Sequence, residues 1–148
     1  MPDYDLLVLG GGTGGYAAAF RAAQLGKRVA LVEQSKVGGT CLHWGCIPAK
    51  AMLESGDLLA KIGKAADFGI QITPATGIDT AVVGARRDKI VAKMHAGLKS
   101  LFKKNNVELI AARGTITAPG SIKVALVDEA GAPTGEERTI TATDIVIA

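Results

Sequence analysis

An α/β fold is what this sequence predicts: a parallel sheet with long helices, followed by a small antiparallel β-meander. Three observations predict it. A short apolar run, Tyr4 to Leu9, ends in a glycine cluster whose Gly10, Gly12 and Gly15 fit the pattern G-x-G-x-x-G. A second apolar run ends on an acid, Glu33, about 20 residues after those glycines, the spacing of a dinucleotide-binding β-α-β unit. Beyond Gly114, apolar and polar residues alternate between glycine and proline breaks, the mark of antiparallel strands.

Size and composition are compatible with that fold. The 148 residues are one domain's worth, enough for a real core. An apolar fraction of 48% and a charged fraction of 21% are ordinary for a globular protein. Seventeen basic against 14 acidic residues, a net charge of +3, is too balanced to argue for nucleic acid. No apolar run reaches the length of a membrane span, because glycines and Arg21 break the N-terminal segment. Met1-Pro2-Asp3 leads straight into the first strand and leaves no room for a targeting peptide, so a cytoplasmic setting is expected.

Tyr4 to Leu9 reads as a buried parallel strand, short, apolar and closed by glycine. In the turn Gly10-Gly11-Gly12-Thr13-Gly14-Gly15, the motif glycines allow a tight bend, close approach to a pyrophosphate, and contact between helix and strand. A helix follows from about Thr13 to Leu25, its alanines keeping the sheet-facing side thin, and Gly26 ends it as a C′ glycine does. Lys27 to Val32 is the second strand. Glu33 at its end is placed to accept hydrogen bonds from both hydroxyls of an adenosine ribose.

The only two cysteines, Cys41 and Cys46, lie five positions apart between Gly38-Gly39-Thr40 and Pro48. A regular helix would hold positions i and i+5 roughly 8 to 9 Å apart, and a disulfide needs Cα atoms within about 7 Å. A bonded pair therefore excludes undistorted helix across both positions. Pro48 is tolerated only in a first helical turn, which puts Cys46 at or just before a helix N-terminus. There free N–H groups and the positive dipole end favour a thiolate, and Lys50 adds a positive charge on the same face. The arrangement suits electron transfer better than stapling. Three other readings remain for these residues: inert buried cysteines, a passive disulfide, or Cys41, His43 and Cys46 as zinc ligands with His95 the only other candidate. The β-α-β unit does not separate FAD from NAD. A dithiol in the same domain pairs more simply with a flavin.

The helix opened near Cys46 is expected to run to about Ala65, with Met52, Leu53, Leu58, Leu59 and Ile62 as its apolar side. Phe68 to Ile72 reads as a short strand or extended link ended by Pro74. Asp79 or Thr80 can cap a further helix reaching about Asn105, with Val83, Ile90, Met94, Leu98 and Leu101 on one stripe and a solvated basic face opposite. Val107 to Ala112 reads as a third parallel strand leading to Arg113-Gly114. Thr115 to Ile116, Ile122 to Val127 and Glu136 to Thr141 form the meander, with a turn at Gly131-Ala132-Pro133. Asp144 to Ala148 reads as a fresh strand, and such an ending looks like a piece of something longer.

Gly39-Thr40-Cys41 through Gly45-Cys46-Ile47-Pro48 and Lys50, after a G-x-G-x-x-G unit ending in glutamate, resembles the pyridine nucleotide-disulfide oxidoreductases. The resemblance covers the whole chain, and Ile47 leans toward the lipoamide-acting branch. It implies a Rossmann-like FAD-binding domain over residues 1–148, with an NAD-binding domain and a dimer-interface domain expected afterwards. It implies FAD held at the pyrophosphate by the turn Gly10, Gly12, Thr13, Gly14 and Gly15, and at the ribose by Glu33. Gly39, Thr40, Cys41, Cys46, Lys50 and Gly114 would add contacts. Cys41 and Cys46 would form the redox disulfide, Cys46 against the flavin and Cys41 exchanging with substrate, while Lys50 stabilises negative charge. Implied partners are NAD, dihydrolipoamide on the lipoyl domain of a 2-oxo acid dehydrogenase complex, and a second subunit in a homodimer. His43 and Ala49 depart from the asparagine and serine common in the family.

Overall fold

The computed structural model describes residues 1–73, 77–128 and 130–148. Strand β1 (Tyr4–Leu9) leads through the glycine turn into helix α1 (Thr13–Gln24), and β2 (Val29–Glu33) follows. Two helices come next, α2 (Gly39–His43) and α3 (Cys46–Gly63), and then a short 3-10 turn over Ala65–Phe68. Helix α4 (Thr80–Lys104) precedes three strands, β3 (Glu108–Ala118), β4 (Ser121–Val127) and β5 (Pro133–Ile147). Helix α1 ends as expected: Gly26 takes φ +81° just beyond it. Asp79 caps α4, its carboxylate accepting from the N–H groups of Ala81 (2.9 Å) and Val82 (3.1 Å).

β1 pairs in parallel with β2 and with the last third of β5, and β2 pairs in parallel with the start of β3. The far half of β3, β4 and the first half of β5 form the antiparallel meander. Because β3 and β5 each belong to both sheets, strand pairing runs from β1 through β5 and back to β1. Alternation along β1 and β2 buries both faces of the parallel sheet. Leu7, Ala30 and Val32 join Ile110, Ile122, Val124 and Ile140 between the two sheets. Val8, Val29 and Leu31 join Ala19, Leu98 and Phe102 under α1 and α4. Burying a leucine as fully as Leu7 or Leu31 stabilises the fold by about 1.5–3 kcal/mol. Phe20 of α1 meets Phe102 of α4 edge-on at 4.8 Å, which fastens α4 over the first helix.

Six expectations are corrected. Thr115 to Ile116 is the continuation of β3, and Asp144 to Ala148 is the end of β5 and the residue after it; a strand that changes partner midway keeps the same alternation. Phe68 to Ile72 is no ladder strand: Phe68 closes the 3-10 turn, and Gly69 at φ +73° starts irregular chain. Pro74 lies outside the described residues. Met52, Leu53 and Leu58 are exposed, because α3 packs on α2, α4 and the 3-10 turn and stands clear of the sheet. On α4, Leu98 and Phe102 carry the burial, while Met94 and Leu101 are exposed. The Arg86 guanidinium donates to the Ala51 carbonyl at 2.9 Å and ties α4 to α3, so the basic face is not wholly solvated.

Candidate functional site

The glycine turn is built by steric exclusion. Gly10 has φ +108°, and a Cβ there would strike the Ala148 carbonyl beyond β5. A Cβ on Gly15 would strike the Gly10 carbonyl, so helix and strand touch only because Gly15 has none. Gly12 is the N-cap of α1 and supplies no side-chain cap. The first turn-closing bond runs from Tyr16 N–H to the Gly12 carbonyl at 3.1 Å. The N–H groups of Thr13, Gly14 and Gly15 thus have no acceptor within the helix. Positions where a Cβ on Gly12 or Gly14 would point are open space. A helix start of this kind, uncapped and unobstructed, holds an anionic group.

Glu33 reaches across this turn. Its Oε2 accepts from Gly11 N–H at 2.7 Å and its Oε1 from Ser35 N–H at 2.8 Å, so the carboxylate is fixed with lone pairs to spare. A Cβ on Gly11 would lie 3.0 Å from Glu33 Oε2; the second glycine of the cluster therefore also has a steric task, which the motif alone does not assign. Glu33, Gly10, Arg113, Gly114 and Ala148 line a crevice of about 460 Å³ at the carboxyl ends of the parallel strands. That end of such a sheet is where ligands bind. Arg113 and Ala148 were not legible as site residues, since neither falls in a motif. Gly114 is required because a Cβ there would collide with the Leu9 side chain.

The cysteine segment is joined to the same turn. Gly38 N–H donates to the Gly11 carbonyl at 2.7 Å, and a Cβ on Gly39, itself at φ +60°, would come within 2.9 Å of Gly12 Cα. Gly39, Thr40 and Cys41 then form α2, Trp44 and Gly45 break the helix, and Cys46 is the first residue of α3 with Pro48 in its first turn. The five-residue α2 is shorter than periodicity detects. Both cysteines are free thiols in this structure, Cys41 half-buried and Cys46 exposed. The Cys41 thiol is pushed above its ordinary value, first by the hydrogen bond with Cys46, then by desolvation and the charge of Cys46. Lys50 acts in the opposite direction.

His43 is turned aside: its Nε2 donates to the Val37 carbonyl at 3.1 Å and its ring meets His95 edge-on at 4.8 Å. Among the described residues there is no group of three or more His, Cys, Asp and Glu side chains that could hold a metal ion. No helix among them is long and apolar enough to cross a membrane.

The family model described as pyridine nucleotide-disulphide oxidoreductase matches residues 4–148. The chain belongs to that family. Curated relatives include a dihydrolipoyl dehydrogenase of Bacillus subtilis, 44% identical over 117 residues, covering 79% of this chain and 24% of the relative. One of Zymomonas mobilis is 40% identical over 146 residues, 98% of this chain and 30% of the relative. Dihydrolipoyl dehydrogenase 3 of Pseudomonas aeruginosa is 40% identical over 151 residues, all of this chain and 31% of the relative. The chain thus spans less than a third of the length of these relatives. The family's members are oxidoreductases, and the α/β fold described above is consistent with membership.

Proposed function

We propose that this chain is the FAD-binding part of a dihydrolipoyl dehydrogenase, which oxidises dihydrolipoamide to lipoamide through Cys41 and Cys46, with NAD as final acceptor. The observation that carries the reading is the Gly38–Gly11 hydrogen bond of 2.7 Å, which seats the paired thiols against the anion-holding turn. The residues fit FAD: open N–H groups at Thr13, Gly14 and Gly15, a fixed Glu33 carboxylate for the ribose, and a crevice reaching Gly114. Bound flavin would take up the electron pair from the thiols and pass it on as hydride to NAD.

The chain's own residues supply the sulfur chemistry. With Cys41 and Cys46 joined as a disulfide, a thiolate of dihydrolipoamide attacks Cys41 Sγ; the Cys41–Cys46 bond breaks and Cys46 leaves as thiolate. The second substrate thiol then displaces Cys41 from the mixed disulfide, closing the lipoamide ring. The substrate has lost two electrons, and the two cysteines have gained them. The helix start beneath Cys46 and the ammonium of Lys50 one turn on favour negative charge at that sulfur. Cys41 is the sulfur assigned to exchange with substrate. Residues 1–148 would be followed by the NAD and interface domains, in a cytoplasmic homodimer serving a 2-oxo acid dehydrogenase complex.

Absorption spectroscopy with thiol counting tests this reading. Protein purified with stoichiometric flavin should show two reactive thiols after reduction and one fewer after Cys46→Ser. Colourless protein holding one zinc per chain would overturn it.

A further inference from the structure

A second groove lies between the redox turn and α4. One part, about 700 Å³, is walled by His43, Trp44 and Ala49 on one side and by Arg87 and His95 on the other, with Lys36 at the rim. An adjoining part, about 600 Å³, runs on past Lys36 and His95 to Lys99, Glu33 and Asp128. Lys36 and His95 line both parts.

Its acids are already engaged. Asp88 is bound by the Arg87 guanidinium at 2.8 Å. Glu33 accepts from Gly11 and Ser35 N–H, and Asp128 accepts from the N–H groups of Ala130 (2.9 Å) and Ala132 (2.8 Å). Two of its cations are not. Among the described residues, Lys36 and Lys99 take part in no ion pair. His95 Nε2 is enclosed without any hydrogen-bond partner among them. Lys36, Lys99 and His95 all line the 600 Å³ part, and polar side chains around a cavity of this size fit a small-molecule ligand.

We propose that this groove is a binding site for a small phosphate-bearing molecule, held by Lys36, Lys99 and His95. It is separate from the anion cradle at the start of α1 and does not depend on the redox reading. Protonation of His95 is part of the binding. Burial first, then His43, Lys99 and Lys36, hold its imidazole below the ordinary range. The other charged groups around it, Arg87, Asp88, Glu33 and Asp128, are paired or held by backbone as described. An anion among these cations offsets their repulsion, so binding draws a proton onto His95 and tightens as pH falls.

The full chain, loaded with FAD, is titrated with inorganic pyrophosphate at constant ionic strength, with binding followed by NMR. Saturable binding is expected, weakened about tenfold by Lys36→Gln and by Lys99→Gln. Lys89→Gln, on α4 outside the groove, should leave it unaltered. Titration with sulfate, whose charge is constant from about pH 6 to 8, should show tighter binding at the lower pH in the unsubstituted chain and a flat profile in His95→Gln. Absence of saturation, or groove variants that bind like Lys89→Gln, would overturn the proposal. So would pyrophosphate that binds the FAD-free chain alone, which would place the anion in the cofactor's own site.

Discussion

Cys41 and Cys46 differ because their backbones differ. Cys46 opens α3 and stands exposed to its uncompensated N–H groups, whereas Cys41 lies inside α2 with Cys46 as the neighbour that raises it. Removing that neighbour should return Cys41 toward its ordinary thiol value. In Cys46→Ala, the pH midpoint for alkylation of Cys41 by iodoacetamide should fall below that of the slower-titrating thiol of the unsubstituted chain. An unmoved midpoint would show that Cys46 does not raise Cys41. Glu33 is a second residue-scale test. Glu33→Ala removes an acceptor from Gly11 and from the ribose side alike, and should weaken FAD binding about tenfold or more while thiol alkylation stays unaffected. Equilibrium dialysis against FAD measures the first and mass spectrometry the second. Glu33, Gly10 and Gly15 were legible because their types and spacing form a motif along the chain. Gly11, Arg113 and Ala148 were not, because no motif includes them and only the folded chain brings them to the turn and the crevice.

At the scale of elements, the signals read correctly were those that act within one turn of chain: Pro48 at the start of α3, Gly26 after α1, Asp79 before α4. Asp79→Ala leaves two N–H groups without their acceptor and should cost about 1 kcal/mol, lowering the urea midpoint, while Asp79→Asn should recover most of it. Equal midpoints for all three chains would show that the cap contributes nothing. What eluded sequence reading was continuity. Arg113-Gly114 and the polar Thr143-Asp144 look like breaks, yet β3 and β5 run straight through them, since hydrogen bonding to a new partner leaves side-chain alternation unchanged. Burial on α3 and α4 was misjudged for a related reason: an apolar stripe announces a face that is able to be buried, and whether Met52 or Met94 is covered depends on what stands opposite.

Across the whole molecule, the two sheets share strands and a core, so they should lose structure together. Ile122, fully buried between them, makes the test: Ile122→Ala should destabilise by about 2–5 kcal/mol, with amides of β1 and β4 losing protection from hydrogen exchange in parallel. Loss confined to β4 would mean that the meander folds on its own. A pH limit belongs to this scale too. The Tyr4 hydroxyl on β1 donates to Glu108 Oε2 on β3 at 2.6 Å, and its pKa is pushed up to about 12, first by desolvation and then by Glu108. A phenol raised above its unfolded value of 10.0 contributes stability that is whole below that pH and is lost as pH climbs through about 12. Thermal unfolding should therefore show an alkaline decline that is shallower in Tyr4→Phe.

The seam between Gly11 and Gly38 is made of peptide atoms alone, a carbonyl and an amide. Side-chain replacement does not delete it, so neighbouring positions such as 43 and 49 are free to drift over evolutionary time without altering the spacing between nucleotide grip and sulfur pair. Gly38→Pro, which lacks the amide, would cut it outright, and at φ +109° with Leu42 standing where a Cβ would go, Gly38 is the position along this seam that should change least.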